Sequence, residues 1–305
     1  MPSPALSARE IPAPPGWRRW WVGARPRTLT MAVTPVVVGA SLAWGEGAAP
    51  RWAVLLITLA CAVLIQVATN LLNDVSDFER GNDRADRVGP LRVTAAGWAT
   101  PAEVRRAAWT ALGIAALLGL VLVWIGGWVI LAIGLSSIAA AWAYSGGQRP
   151  VSYRASGELF VLVFFGLVAV TGTHYLQAGA WSAVALPAGF AIGAMAAAVL
   201  LLNNYRDIAG DIAAGRRTLA AALGRERAQA VFALLMLLPF ALPAWLALRE
   251  PAEPGAWLAF LALPLALTVV RDMGRLEGSA LNPVLARTAL TQFAFGVLLS
   301  AGVLP

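Results

Sequence analysis

Six of the seven aspartates in this 305-residue chain fall in, or just beyond, two short stretches. The first, "LLNDVSDFERGND" at 71–83, carries Asp74, Asp77 and Asp83, and Asp86 follows just beyond it. The second, "LLNNYRDIAGD" at 201–211, carries Asp207 and Asp211. Carboxylates gathered without His or Cys nearby favour a hard cation. Magnesium fits best, because it takes a few carboxylates and completes its shell with water and phosphate oxygens. Arginines crowd both stretches: Arg80, Arg84, Arg87 and Arg92 at the first, Arg206, Arg216 and Arg217 at the second. Metal and guanidinium groups together bind a polyanion, and a diphosphate at a membrane surface is the natural ligand. The competing reading is a set of solvated, mutually neutralising loop charges. It suffices for Glu79 and Asp86. It fits the rest poorly, because Leu71-Leu72-Asn73-Asp74-x-x-Asp77 is matched by Leu201-Leu202-Asn203-Asn204-x-x-Asp207, 130 positions later.

Spacing sets what each stretch can do. Asp207 and Asp211 stand at i,i+4, so a helix continuing past the membrane puts both carboxylates on one face, about 6 Å apart. Asp77 and Asp83 share a site only if the chain breaks between them, and Gly81-Asn82 provides a break.

The elements that hold these residues are membrane helices. The chain is 59% hydrophobic and 13% charged, against about 25% charged for a soluble domain. No charged residue occurs in 28–45, 52–73, 107–148, 159–205, 228–248, 254–270 or 288–305. A span needs roughly 20 apolar residues. Five intervals hold one span each, and 107–148 and 159–205 hold two each, turning at Gly126-Gly127 and around Gly179-Ala180-Trp181. The expectation is an all-α integral membrane protein of nine helices. It forms a pseudo-repeat bundle whose copies face each other across a central cavity open to the cytoplasm. Residues 1–24 form an N-terminal cytoplasmic segment, partly disordered, and 25–305 form one domain with cytoplasmic loops at 73–106, 144–158 and 203–228.

Charge sets the orientation. All 23 basic residues are Arg, and nine spans with a cytoplasmic N-terminus leave only Arg51 and Arg249 outside, as basic short loops require. The C-terminus then lies outside, and the membrane is the inner (plasma) membrane. Tryptophans at 44, 52, 124, 128, 181, 245 and 257 mark the outer interface. Although the pI is about 10.8, the arginines sit between membrane spans, so the partners are membrane lipid and a phosphorylated substrate, not nucleic acid. Cys61 reads as a small buried hydrophobe. His174 lies about 22 Å from the cytoplasmic end of its span at helical rise, and reads as a structural hydrogen-bonding side chain.

From Trp21 onward the chain resembles the UbiA superfamily of intramembrane prenyltransferases, and within it the branch that prenylates 1,4-dihydroxy-2-naphthoate. The resemblance rests on "ARPRTLT" at 24–30, "NDVSDFERGNDRADRVGPLR" at 73–92, "RPVSYRASGELFVLVFFGLVAVTGTHYLQ" at 149–177 and "NNYRDIAGDIAAGRRTLAAALG" at 203–224. The superfamily's first motif, Asn-Asp-x-x-Asp-x-x-x-Asp, has Gly81 at its last position here, with Asp83 two residues on, a variant like that of the naphthoate branch.

The resemblance implies a site. Asn73, Asp77 and Asp83 would hold one magnesium ion, Asp207 and Asp211 a second, and the two would bridge the diphosphate of a polyprenyl donor. Arg87, Arg92, Arg206 and Arg216 are candidates for diphosphate contact, with Asn203 beside them. The family commonly has Lys at the place of Arg216. Tyr153 and Arg149, in the middle loop, would position the acceptor or protect the cation, against the alternative of an interfacial anchor. Arg25 would meet the acceptor carboxylate or serve only as a topology anchor. Prenylation with loss of the ring carboxylate would give demethylmenaquinone. Two other functions stay open: a prenyltransferase of this fold acting on another acceptor such as 4-hydroxybenzoate, and a transporter using acidic pairs as a cation relay.

Overall fold

The computed structural model describes residues 12, 14, 16–82, 89, 91–147, 150–249 and 253–305. Among them there is no strand, only an isolated parallel bridge between Arg154 and Arg217. Ten helices hold most of the described residues, with a short 3-10 turn at Val151–Tyr153. α1 is Arg18–Ala24, and α2 (Pro26–Gly45) follows it directly. The joint is Arg25, the one described non-glycine residue with positive φ, at 52°; Pro26 then starts α2, where its missing N–H costs nothing. α3 is Trp52–Glu79 and α4 is Pro101–Ser145. α5 (Gly157–Ala178), α6 (Ala185–Arg206) and the short α7 (Ile208–Ala213) come next. α8 (Leu219–Leu248), α9 (Pro254–Met273) and α10 (Gly278–Val303) complete the chain. Eight of these helices are long and apolar enough to cross a membrane.

Two lengths matter for the site. α3 has 28 residues, about 42 Å at helical rise, against a hydrocarbon core of about 30 Å. It is thus longer than a perpendicular span requires, and its last turns carry Asn73 and Asp77. These two residues belong to a helix and not to the loop expected from residue 73 onward. α4 has 45 residues, but Gly127 breaks it with φ 69° and ψ −157°. That conformation is open to glycine and closed to most residues. The break falls where the paired glycines predict a turn, and Leu122 and Ile130, on either side, share a cluster with Leu176 of α5. The start of α4 is fixed by a capping box between Thr100 and Glu103.

α6 is the central helix, packed against α2, α5, α8 and α10. Small residues let it come close: Gly166, in the π-helical stretch Val163–Val168 of α5, sits against the backbone of Gly189 and Gly193. Close backbone approach through small residues is how helices associate where lipid removes the hydrophobic drive. The far end of the bundle, opposite Asp77, is closed by hydrogen bonds. His174 is 1% exposed and bonds Glu46 Oε2 at 2.9 Å and the Ala180 carbonyl at 3.3 Å. It joins α2 to α5, the structural role that its position along the span implies. Gln177 Oε1 accepts from Trp44 and from the Arg51 amide there. Trp124 and Trp128, flanking the α4 turn, are largely exposed.

A Cβ added at Gly193 would lie 2.4 Å from the Leu162 carbonyl oxygen. Gly193→Leu should therefore lower stability by about 1–3 kcal/mol, the usual range for overpacking. Gly113→Leu, where nothing lies within 4 Å, should be near neutral. Thermal unfolding in detergent would show whether the two variants differ in this order.

Candidate active site

The ends of α3, α6 and α7 meet at the mouth of a cavity of about 1220 Å³ that runs into the bundle. Asn73, Asp77, Asn203, Asp207 and Asp211 all line it, with Arg25, Arg92, Arg206 and Arg216. The two acidic stretches, 130 positions apart, thus form one site. Asp83, Arg87 and Arg149 lie outside the described residues.

Each of the three aspartates lining the cavity has an arginine. Asp77 is 4% exposed and makes a salt bridge with Arg92, whose Nη1 also donates to the Asn73 carbonyl at 3.0 Å. Asp207 is gripped on both oxygens by its neighbour Arg206, at 2.9 and 2.6 Å. Arg206 also donates to Asn203 Oδ1 and to Asn282 Oδ1 of α10. Asp211, 4% exposed, takes Arg216 at 3.2 Å and the Thr218 hydroxyl at 3.4 Å. The helix does not run straight through these residues. α6 ends at Arg206, and Asp207 is the joint to α7. The Asp211 amide nevertheless donates to the Asp207 carbonyl at 2.9 Å, which preserves one helical turn between the two residues.

Asp74 has another job. Its two oxygens accept from the Val93 and Thr94 amides at 2.9 and 3.1 Å, so it anchors the chain that returns Arg92 to the site. Its counterpart Asn204 donates to Glu158 Oε1 at 2.9 Å. The shared motif therefore supplies cavity groups at its Asn73/Asn203 and Asp77/Asp207 positions and a support at the position between.

Tyr153 joins the two halves. Its hydroxyl donates to Asp77 Oδ1 at 3.3 Å and also meets Asn82. The guanidinium groups of Arg216 and Arg80 stand over its ring, 4.8 and 5.3 Å from the centroid. Its carbonyl accepts from the Arg217 amide, and the Ser152 carbonyl accepts from Arg216. Arg80 belongs to this scaffold. It donates to the Ser145 and Gly147 carbonyls at the end of α4, a role that its place in the arginine cluster gives no hint of.

Electrostatics follow from this crowding. Burial pushes the Asp211 carboxyl up to about 6; Arg216 opposes the shift, and Asp207 and Asp77 add to it. Burial works against the charge of Arg216, but Asp211 and Asp77 outweigh it and hold the guanidinium above its ordinary value. Burial, then Asp77, raises the Tyr153 phenol, which keeps it protonated and able to donate.

The donor set suits magnesium. Among the described residues no three His, Cys, Asp or Glu side chains come together as a closed cage. One or two carboxylates at each half, with amide oxygens beside them, match an ion that keeps waters and takes phosphate oxygens. A carboxyl with its pKa near 6 must lose its proton to bind a cation. Manganese binding, followed by electron paramagnetic resonance, should strengthen as pH rises through about 6, and Asp211→Asn should bind more weakly and without that step. An unchanged pH dependence in the variant would remove Asp211 from the ligand set.

Known proteins resemble this chain in sequence and fold. The UbiA prenyltransferase family matches residues 32–287. The 1,4-dihydroxy-2-naphthoate octaprenyltransferase of Mycobacterium tuberculosis is 42% identical over 287 residues, 93% of this chain and 96% of that one. The Escherichia coli protein of the same name is 38% identical over 297 residues, 92% and 95% of the two chains. In three dimensions the chain is similar to a UbiA homolog from Archaeoglobus fulgidus solved bound to DMAPP and Mg2+, with a TM-score of 0.65, 17% identity and coverage of 92% and 99%. It is likewise similar to the apo UbiA homolog from Aeropyrum pernix, with a TM-score of 0.66, 16% identity and coverage of 92% and 98%. With two acidic clusters meeting at one cavity mouth, in a helical fold that these structures share, this chain belongs to the UbiA prenyltransferase family.

Proposed function

We propose that this protein transfers a polyprenyl group from polyprenyl diphosphate to 1,4-dihydroxy-2-naphthoate, with loss of the ring carboxylate, giving the demethylmenaquinol of menaquinone synthesis. The observation that carries this reading is the convergence of Asp77, Asp207 and Asp211, each with its arginine, at the mouth of a largely apolar cavity. A diphosphate fits the mouth and a polyprenyl chain fits the cavity. The acceptor follows from the relatives, which are named for 1,4-dihydroxy-2-naphthoate. A cation relay would instead need ionisable groups along the membrane interior, and the aspartates lining this cavity stand at its mouth.

Asn73, Asp77 and Asp83 would hold one magnesium ion, and Asp207 and Asp211 a second. Magnesium bound there would supply positive charge against the diphosphate as it leaves. Arg92, Arg206 and Arg216, now paired with the aspartates, would take the diphosphate oxygens, with Arg87 beside them. The C–O bond to the diphosphate breaks, its electron pair leaves with the diphosphate, and the acceptor ring forms the new C–C bond to the allylic cation. The ring carboxylate then leaves as carbon dioxide, and the electron pair of its C–C bond restores the aromatic ring. Apolar walls that include Phe160, Phe164 and Phe165 exclude the water that would quench that cation. Tyr153 holds Asp77 and Arg216 in register, and Arg25 meets the acceptor carboxylate.

The finer architecture belongs to the same proposal. The α4 hairpin counts as two spans, giving nine, with the N-terminus and the open cavity mouth on the cytoplasmic face of the inner membrane. The placement of Val303 beside Gly45, at the end of the bundle away from Asp77, agrees with a C-terminus on the other face.

The assay is direct. Purified protein with a polyprenyl diphosphate, dihydroxynaphthoate and magnesium should form the prenylated, decarboxylated quinol, and removing the divalent metal should abolish it. Asp77→Ala and Asp207→Ala should each lose at least about 100-fold in turnover, the scale of removing one electrostatic stabiliser, while His174→Phe keeps most of it. Equal losses in all three would mean that the site is misplaced, and metal-independent product would sink the mechanism.

A further inference from the structure

Below the aspartates, α2 and α3 carry a set of neutral polar side chains that the diphosphate chemistry does not use. Gln66 and Asn70 are each 6% exposed, and both line the cavity with Thr28. Gln66 precedes Asp77 by eleven positions, which places it about 16 Å deeper along α3.

Their hydrogen bonds can be accounted for one by one. Gln66 Nε2 donates to Thr28 Oγ1 at 3.3 Å and to Asn70 Oδ1 at 3.4 Å. Asn70 Nδ2 donates to the Ala24 carbonyl at 2.9 Å and to Thr28 Oγ1 at 3.0 Å. Thr28 gives its own proton to the Arg25 carbonyl at 2.9 Å. Every donor is spent. Turning the Gln66 amide over would set its oxygen against Asn70 Oδ1, so the network fixes the amide. One acceptor remains: Gln66 Oε1 is buried and has no partner.

A buried carbonyl without a partner costs about 1–3 kcal/mol. A polyprenyl chain has no donor and would leave that cost in place. A ring hydroxyl would remove it, after a side-chain shift of the kind common on ligand binding. Arg25 lines the same cavity one residue from Ala24, whose carbonyl Asn70 holds. A ring carrying both a carboxylate and hydroxyls would thus find a cation and an acceptor on one wall.

We propose that Gln66 is a specificity-determining residue whose Oε1 accepts a hydrogen bond from a ring hydroxyl of the aromatic acceptor, with Asn70 and Thr28 holding the amide in that orientation. This rests on the naphthoate reading above and adds to it where the ring binds and what reads its hydroxyls.

The test compares the dihydroxy acceptor with 1-hydroxy-2-naphthoate and 4-hydroxy-2-naphthoate, each lacking one hydroxyl, as competitors of the wild-type protein and of Gln66→Leu and Gln66→Met. In the wild type, one of the two analogues should bind about tenfold more weakly than the dihydroxy compound, the factor for about 1.4 kcal/mol. In either variant that gap should close. The KM for dihydroxynaphthoate should rise about tenfold, while the KM for polyprenyl diphosphate stays within about twofold. A merely structural role would shift both KM values and leave the gap intact. Wild-type protein that binds both analogues as well as the dihydroxy compound would overturn the proposal, whether or not the variants fold. So would a gap that persists in the variants. Absence of any naphthoate turnover by the wild type would strike the functional reading itself, and is told apart in the same experiment.

Discussion

A carboxylate at the edge of a membrane cannot be left both buried and alone. Taking an ion out of water costs several kcal/mol unless a partner and further hydrogen bonds offset it. Asp77 and Asp211 are each 4% exposed, and the structure surrounds them accordingly: Arg92 on Asp77, Arg216 on Asp211, Arg206 on Asp207. Arginine suits this work because its planar fork meets a carboxylate or a phosphate with equal ease. The groups that neutralise the carboxylates are therefore the groups that can hold a diphosphate once a cation takes their place. Much of the fold serves that exchange. The overlong α3 lifts Asp77 to the lip, the joint at Asp207 turns α7 across the mouth, and Tyr153 ties the two halves into one electrostatic unit.

The internal repeat explains why the site has two halves that are not alike. Both copies end a helix with the same Leu-Leu-Asn pattern and present an amide and a carboxylate to the cavity. Between these, Asp74 binds backbone amides, whereas Asn204 binds a buried glutamate on α5. A carboxylate was needed to hold the loop that returns Arg92, and an amide was needed to meet Glu158. The duplicated frame is shared, and its supports are adapted to different neighbours.

The large features were legible in the sequence because they follow from composition and period. Charge-free intervals located the spans, the Gly126-Gly127 pair located the α4 break, and the repeat located the two acidic clusters. What stayed hidden depends on contacts between distant segments. Arg80 reads as one more arginine in a basic cluster, and only the approach of Ser145 and Gly147 makes it a clamp for α4 and for the loop bearing Tyr153. Gln66 and Asn70 stand in an apolar run, and no spacing rule shows that their donors are consumed and one acceptor left over. Charge marks Asn73 and Asp77 as the start of a loop, yet the helix runs on to Glu79 and carries both.

The central claim is that both acidic stretches hold metal at once around one diphosphate. Electron paramagnetic resonance of the protein loaded with manganese and a polyprenyl diphosphate tests it most directly. The account predicts a spin-coupled pair of ions that reverts to a single uncoupled ion when either Asp77 or Asp211 is changed to Asn. A single ion in the wild type, or a coupled pair that survives loss of either aspartate, would contradict it.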